Sequence, residues 1–477
     1  MKRLFKSILA AVFLCTATLA FTQESEAVKH VAQGTILHAW CWSFNTIKDN
    51  MQQIADSGFT AVQTSPINTC RIGEYGDLNF WSNDNTGKWY YHYQPTDWKI
   101  GNYQLGTRDE FKAMCDEAKK YNITVIVDVV PNHTTQVSKF SQKELAPLFE
   151  AVGGQDKLYH KHGLEFNKNW DSRNELTNKM IGGLPDVNTE NPDFQAYFMA
   201  FMNDAIECGA GGFRFDTAKH IGLPDDPKDD PELENNFWPI FTGKEAIRGV
   251  MLKDAENLFE YGEVLQAQSD RIDDYQKYLR TTASIYGSDL RFALNFDNLT
   301  VSRISDYKVT EVDPSRLVTW IESHDTYANE GASARMNNFR LRVGYAVITA
   351  RKDGTPLFFS RPQGAEATQF PGASKIGDIG NDQFKHPEVA AVNKFRTAMI
   401  GEDENMFNGE SKSQLVIERG SKGAVIFNMA EKASPLKAQV KLADGTYTDH
   451  ANPKKKYTVK GGILNMKIPA KSIVVLY

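Results

Sequence analysis

Cysteine is scarce, with five in 477 residues, and its spacing matches no zinc motif. Histidine is sparse, ten in 477 residues with His160 and His162 as an HxH pair, and a metal-dependent hydrolase built on clustered histidine ligands is disfavoured. Basic charge is not in excess. The formal net charge is −6, and no stretch of Lys and Arg is dense enough for a nucleic-acid face. The apolar run from Ile8 to Ala20 is too short to span a bilayer comfortably, and no other segment is long and apolar enough to cross one. It follows the charged Lys2, Arg3 and Lys6 and leads into small residues ending near Ala20 or Ala27. Residues 1–27 therefore read as a secretory signal peptide, with a retained anchor as the alternative. Cys15 follows Leu14, where a lipid-attachment signal wants a small residue. The expectation is a soluble, secreted, extracellular chain with no membrane span once processed.

Export would leave Cys41, Cys70, Cys115 and Cys208. Cys41 and Cys70 each follow a predicted strand, so a bridge between them is one expectation. Cys115 and Cys208 fall on predicted helices and read as buried thiols. Hydrophobic residues make up 41% of the chain, enough for a large core. The 11% of aromatic residues would suit a neutral sugar, whose C–H faces lie on flat rings, although core packing accounts for most of the Phe.

A β/α rhythm begins at Gly34. GTILHAW (34–40) predicts a strand. A helix follows over 45–59, with Ile47, Met51, Ile54 and Ala55 on one face and Gly58 as terminator. FTAVQTS (59–65) is the next strand. The helix after it opens on a Thr107–Glu110 capping box and turns Phe111, Met114, Cys115 and Ala118 inward. ITVIVDVV (123–130) is apolar on both faces, as a covered parallel strand must be. Between residues 131 and 191 the rhythm stops for too long to be an ordinary loop, which predicts a small inserted domain. It resumes with a helix at 192–210 and the strand GGFRFDT (211–217). LFEYGEV (258–264), DLRFAL (289–294), RLVTWIE (316–322) and TPLFFS (355–360) complete eight strands, and PEVAAVNKFRTAMIG (387–401) predicts a closing helix. The expected fold is an α/β (β/α)8 TIM barrel over 28–130 and 192–401, interrupted after strand 3. From residue 402 to 477, runs of β-branched residues between Gly and Asp-Gly turns predict an antiparallel β-sandwich. Lys454 to Lys456 reads as a solvated edge strand of it.

Strand C-terminal ends form the working face of such a barrel, and four predicted ends carry acids. Asp128 precedes Asn132 and His133, Asp216 closes GGFRFD, Glu263 closes LFEYGE, and Asp325 follows LVTWIESH. Arg214 and Asp216 are two apart, so both point into the barrel while Phe213 and Phe215 point out. A guanidinium there favours a rigid, ionised carboxylate, although a purely structural Arg–Asp pair would look the same. Buried Asp128 needs a partner, and Arg214 is the expected one. Apolar neighbours around Glu263 predict a raised pKa, which suits a general acid. Asp325 fits either a site carboxylate or a helix N-cap. His133 and His324 are candidate donors to sugar hydroxyls.

The segments DVVPNH, GFRFDTAKH, GEVL and ESHD, with LPDVN (184–188) as a fifth, resemble in order and spacing the signature regions of the α-amylase family of retaining glycosidases. HAWCWSFNTI, QTSPIN and TPLFFSRP are similar to segments of secreted bacterial, Bacillus-type members. The resemblance spans essentially the whole chain after the leader. It implies Asp216 as nucleophile, Glu263 as acid/base and Asp325 as the third, sugar-distorting carboxylate. Tyr90 resembles the aromatic that stacks on the sugar being cleaved, with Tyr93 and Gln94 nearby. His133, Arg214, Lys219 and His324 would complete the pocket, Lys219 and His220 would reach the next subsite, and Asn329 is a further binding candidate. The resemblance also implies a structural Ca²⁺ held by the side chains of Asn132 and Asp186 and the carbonyls of Thr177 and His220, unless those residues only cap turns. Ser323 stands where chloride-activated members carry Asn, so no chloride is expected. The implied activity is endo-hydrolysis of starch and malto-oligosaccharides by a monomer, with the C-terminal domain as a brace. A glucanotransferase, an exo-acting relative or a non-catalytic glucan-binding homologue are the alternatives.

Overall fold

The structure is a computed structural model that describes residues 24–72, 76–81, 88–139, 141–265, 270–308, 312–367, 372 and 374–477. Eight parallel strands close into a barrel. They are β1 (Ile36–His38), β2 (Ala61–Gln63), β3 (Thr124–Val129), β4 (Gly212–Phe215), β5 (Phe259–Gly262), β6 (Arg280–Thr282), β7 (Leu317–Trp320) and β8 (Thr355–Phe359). Each pairs with the next in chain order, and β8 returns to β1. Short strands suffice because each side chain has an interior or a helix layer to enter. Ile36, Ile126, Tyr261 and Val318 share one cluster with Val28 and Val31 of the helix Glu26–Ala32. Leu37, Val62, Val127, Phe213 and Phe215 pack outward into the main core. The capping box forms as expected, with the Thr107 side chain and Glu110 exchanging hydrogen bonds at the start of helix Arg108–Lys120.

Three expectations are corrected. DLRFAL is not the sixth strand but part of the helix Ser284–Asn295, where Tyr286, Gly287, Leu290 and Leu294 are buried at helical spacing. The true sixth strand, Arg280–Thr282, is three residues long and polar, so it carries no hydrophobic signal. The helix expected over 45–59 is split into Phe44–Asp49 and Met51–Asp56 by Asn50, whose φ of −108° and ψ of 8° are not helical. Cys41 and Cys70 are free, buried thiols, not a bridge. Cys41 turns into an aromatic cluster with Trp40 and Trp89, and Cys70 is taken up in a strand that pairs with Pro95. Cys115 and Cys208 are also buried and free, as expected.

The leader expected over 1–27 lies outside the described residues as far as residue 23. Residues 24–27 belong to the packed part, with Ser25 capping Glu26–Ala32. Among the described residues no helix is long and apolar enough to cross a membrane.

The described residues of 131–191 carry three helices, Ser141–Ala151, Gln155–Leu158 and Arg173–Asn178, and isolated bridges such as His133 to Asp186. Beyond the barrel lie β9 (Glu404–Asn408), β10 (Gln414–Arg419), β11 (Gly423–Asn428), β12 (Ser434–Gln439), β13 (Gly445–Thr448), β14 (Lys456–Lys460), β15 (Ile463–Ile468) and β16 (Ser472–Leu476). They form two antiparallel sheets, ordered β9-β10-β11-β16 and β12-β15-β14-β13. Val416, Ile426 and Val474 face the second sheet, while Leu415, Ile417, Val425 and Phe427 join the barrel's core. That is why β10 and β11 are apolar without alternation. Lys456 is exposed but starts β14, an interior strand of its sheet and not an edge.

Candidate active site

Register positions the first charges. Arg214 on β4 lies opposite Asp128 on β3 and Tyr261 on β5, all facing inward. The ladder runs one residue past each strand end: Asp216 N–H donates to Val129 O and Glu263 N–H to Phe215 O, both at 2.9 Å. Asp216 and Glu263 therefore stand side by side at the C-terminal rim. Arg214 lies beneath and joins them. Its Nη1 donates to Asp128 Oδ1 at 2.8 Å and to Asp216 Oδ1 at 2.7 Å, and its Nη2 meets Glu263 Oε2 at 2.9 Å. The expected Arg214–Asp128 pair is present, and one buried guanidinium serves three carboxylates. Such a cluster is stable only because each charge has a close partner.

Asp216, Glu263 and Asp325 all line one cavity of about 420 Å³. Tyr90, Tyr93, Gln94, His133, Lys219, His220, His324 and Asn329 line it as well. Arg214 does not reach that wall; it borders a smaller void of about 40 Å³ below, with His38 and Gln63. Asp325 opens a short helical turn, Asp325–Asn329. Asn329 Nδ2 donates to its Oδ1 at 3.0 Å and His324 Nε2 lies 3.3 Å from its Oδ2.

One detail differs from expectation. The Glu263 carboxylate is not in apolar surroundings. It accepts from Arg214 and from the Thr217 N–H at 3.1 Å, because Val264 and Tyr261 turn into the core. Burial raises Asp128 to about 7 against the pull of Arg214, and raises Asp325 to about 6 with help from the nearby Glu263 charge and Arg214 opposing. Tyr93 is buried among the acids: its hydroxyl donates to Asp128 Oδ2 at 2.8 Å, and its ring stacks on His324 at 4.7 Å and 17°. Tyr90 sits further out, edge-on to Trp89.

The histidines are held neutral. Burial lowers His324 to about 4, aided by Arg214, and lowers His133 against the pull of Asp216. Burial and then Lys219 bring His220 down to about 3. His133 Nε2 donates to Tyr93 O at 3.0 Å, which leaves Nδ1 as an acceptor. Lys219 Nζ is 3.2 Å from Asp270, an acid that sequence reading missed.

Of the expected calcium residues, Asn132 and Asp186 meet: Asn132 Nδ2 lies 3.2 Å from Asp186 Oδ1, and both residues are buried. Turning the amide over would present an oxygen beside the carboxylate, so the pair fits a hard cation. Thr177 and His220 are on touching elements, since His220 Nδ1 donates to Leu176 O at 2.9 Å. Among the described residues no group of three His, Cys, Asp or Glu is arranged to hold a metal. The expected set relies on amide and carbonyl oxygens and has Asp186 as its one such side chain. Sequence reading missed His160, whose two ring nitrogens meet Asp186 Oδ2 and Glu190 Oε2, each at 2.6 Å. Burial works to lower His160, but the two acids prevail and push it up to about 10. Trp89, Ile181, Leu184 and Thr217 were also missed as wall residues; Leu184 and Thr217 lie inside the motifs already singled out.

A parallel barrel with three acids and neutral histidines around one cleft defines a class of barrel glycosidase-like sites. Residues 43–341 match the model of the alpha-amylase catalytic domain, and the chain belongs to the alpha-amylase family. It is 46% identical over 470 residues to an alpha-amylase of Butyrivibrio fibrisolvens, a match covering 94% of this chain and 47% of that protein. It is 34% identical over 457 residues to one of Clostridium acetobutylicum, covering 96% and 55%. The chain thus spans about half the length of these curated relatives. Among solved structures, alpha-amylase I of Eisenia fetida, crystallised as a mutant with maltohexaose, has the same fold. Its TM-score is 0.72 at 18% identity, over 93% of this chain and 97% of that one.

Proposed function

We propose that this chain is a secreted, endo-acting α-amylase that hydrolyses internal α-1,4 bonds of starch and malto-oligosaccharides with retention. The observation that carries the reading is that Asp216, Glu263 and Asp325 share one cavity, with Asp216 and Glu263 on opposite ends of the Arg214 guanidinium. That arrangement supports the separation of roughly 5–5.5 Å that a retaining pair needs. Asp216 attacks the anomeric carbon while Glu263 protonates the departing glycosidic oxygen. Glu263 then takes a proton from water, which displaces Asp216, and two inversions restore the α configuration. Asp325 stabilises positive charge developing on the sugar ring. Neutral His133 and His324 exchange hydrogen bonds with its hydroxyls, and Tyr93 and Tyr90 offer ring faces.

Residues 131–191 act as an inserted domain forming one cleft wall, and residues 402–477 brace the barrel through the shared core. Asn132 and Asp186, with the Thr177 and His220 carbonyls, would hold a structural Ca²⁺ that ties that wall to the barrel. No chloride dependence and a monomeric state are part of the same reading. The test is the Glu263→Gln variant, with products of soluble starch followed in time. Activity should fall by at least roughly 10³-fold, while wild type releases α-configured oligosaccharides of mixed length. Near-normal hydrolysis by the variant, or cyclic or transferred products from wild type, refutes the reading.

A further inference from the structure

A second hollow of about 420 Å³ lies at the other end of the barrel. Its wall residues stand where strands start: Arg280 begins β6, Gly354 immediately precedes β8, and Ser315 lies two residues before β7. Asp216 and Glu263 instead follow strand ends, so the two hollows open on opposite faces. The volume is in the range of small-molecule sites.

Charge on this wall is one-sided. Lys29, Arg280, Lys352, Arg396 and Arg419 face Glu24 and Asp353, in a chain whose net charge is −6. Arg396 and Arg419 are buried, and among the described residues their hydrogen bonds go to backbone carbonyls and neither forms an ion pair. Arg396 Nε donates to Gly34 O at 2.8 Å and its Nη1 to Arg351 O at 3.0 Å. Arg419 Nη2 donates to Met399 O at 2.9 Å and to Glu402 O at 3.0 Å. Burial and the Arg419 charge lower Arg396 to about 10, which reflects crowded positive charge. Arg280 is also buried. It pairs with Glu24, which lies 3.7 Å from Arg316 as well, and its Nε has no partner among the described residues. Lys29 and Lys352 pair with Glu26 and Asp403, acids 90% and 85% exposed, and pairs with such exposed acids hold weakly.

Carbonyl dipoles fix the guanidiniums without cancelling their charge, and a buried cation lacking a counter-charge is costly. A doubly charged oxyanion answers that excess better than a single carboxylate, and ammonium and guanidinium groups are its usual donors. We propose that this hollow binds a phosphate-class oxyanion, free or carried on a small organic molecule. Lys29, Lys352 and Arg280 donate to it, while Arg396 and Arg419 supply the field. The anion ties the helix Glu26–Ala32, the start of β6 and the end of β10 together, away from the catalytic acids.

The experiment is isothermal titration calorimetry of the intact enzyme with inorganic phosphate and, separately, with glucose 6-phosphate, at ionic strength held constant with sodium chloride. Saturable one-site binding of at least one probe is expected. Tighter binding of the monoester supports an organic phosphate as the ligand, and tighter binding of the free ion supports an inorganic one. Combining Lys29→Ala with Lys352→Ala removes two charge-assisted contacts and should weaken binding at least about tenfold, with starch hydrolysis unchanged. Lys112→Ala with Lys120→Ala, on the helix Arg108–Lys120 outside the hollow, should bind as wild type does. No saturable heat from either probe, undiminished affinity in the Lys29 and Lys352 variant, or an equal loss in the control variant overturns the proposal.

Discussion

Replacing Asp325 with asparagine should stabilise the fold while removing activity. Burial and the Glu263 charge raise the Asp325 carboxyl from 3.8 to about 6. For an acid whose folded pKa lies above its unfolded one, the stabilising contribution is complete below the unfolded value. It is lost as pH rises through the folded value, so at pH 8 the ionised carboxylate is a cost. A shift of this size corresponds to roughly 3 kcal/mol. The side chain is 29% exposed, and solvent screening reduces that to about 1–2 kcal/mol. The amide keeps the shape of the side chain and an oxygen for Asn329 Nδ2, now 3.0 Å away. By calorimetry at pH 4, 6 and 8, Asp325→Asn should melt a few degrees above wild type at pH 8, with the gap closing towards pH 4. Starch hydrolysis should fall by roughly 10²–10³-fold at the same time. This is the trade of stability for function found where like charges are crowded for chemistry. A variant less stable than wild type at pH 8, or a gap that does not change with pH, refutes the reasoning.

Arg214→Met should be far more damaging to stability. It strands Asp128, Asp216 and Glu263 without their shared cation, and a loss of about 3–5 kcal/mol is expected, measured by urea denaturation beside a circular dichroism check of the fold. Chelation with EDTA followed by calcium restoration should lower and then recover both the melting temperature and activity, and Asn132→Ala should blunt that response; a chelated protein identical in both measures removes calcium from the account. Titration of the unreduced, denatured protein with a thiol reagent should find Cys41, Cys70, Cys115 and Cys208 all reactive, consistent with their free state.

The acids at the strand ends, the Thr107 capping box and the barrel rhythm were readable in the chain, because each depends on local spacing; the Arg214–Asp128 pair was the one long-range contact read, because a buried acid needs a cation. Alternation along β4 by itself turns Arg214 and Asp216 inward and Phe213 and Phe215 outward. Runs of β-branched residues between turn signals also pointed to the antiparallel sheets beyond the barrel. What depends on who sits opposite was not readable. Arg280–Thr282 takes its place as a strand through pairing with the strands on both sides, with no apolar residue of its own to announce it. The surroundings of Glu263 come from Arg214 and Thr217, not from Tyr261 and Val264 beside it in sequence. The burial that raises Asp325 and the His160 bridge between Asp186 and Glu190 are likewise products of closure. Sequence patterns carry the periodic part of the free energy, while charge desolvation and pairing arise only when distant segments share one low-dielectric volume.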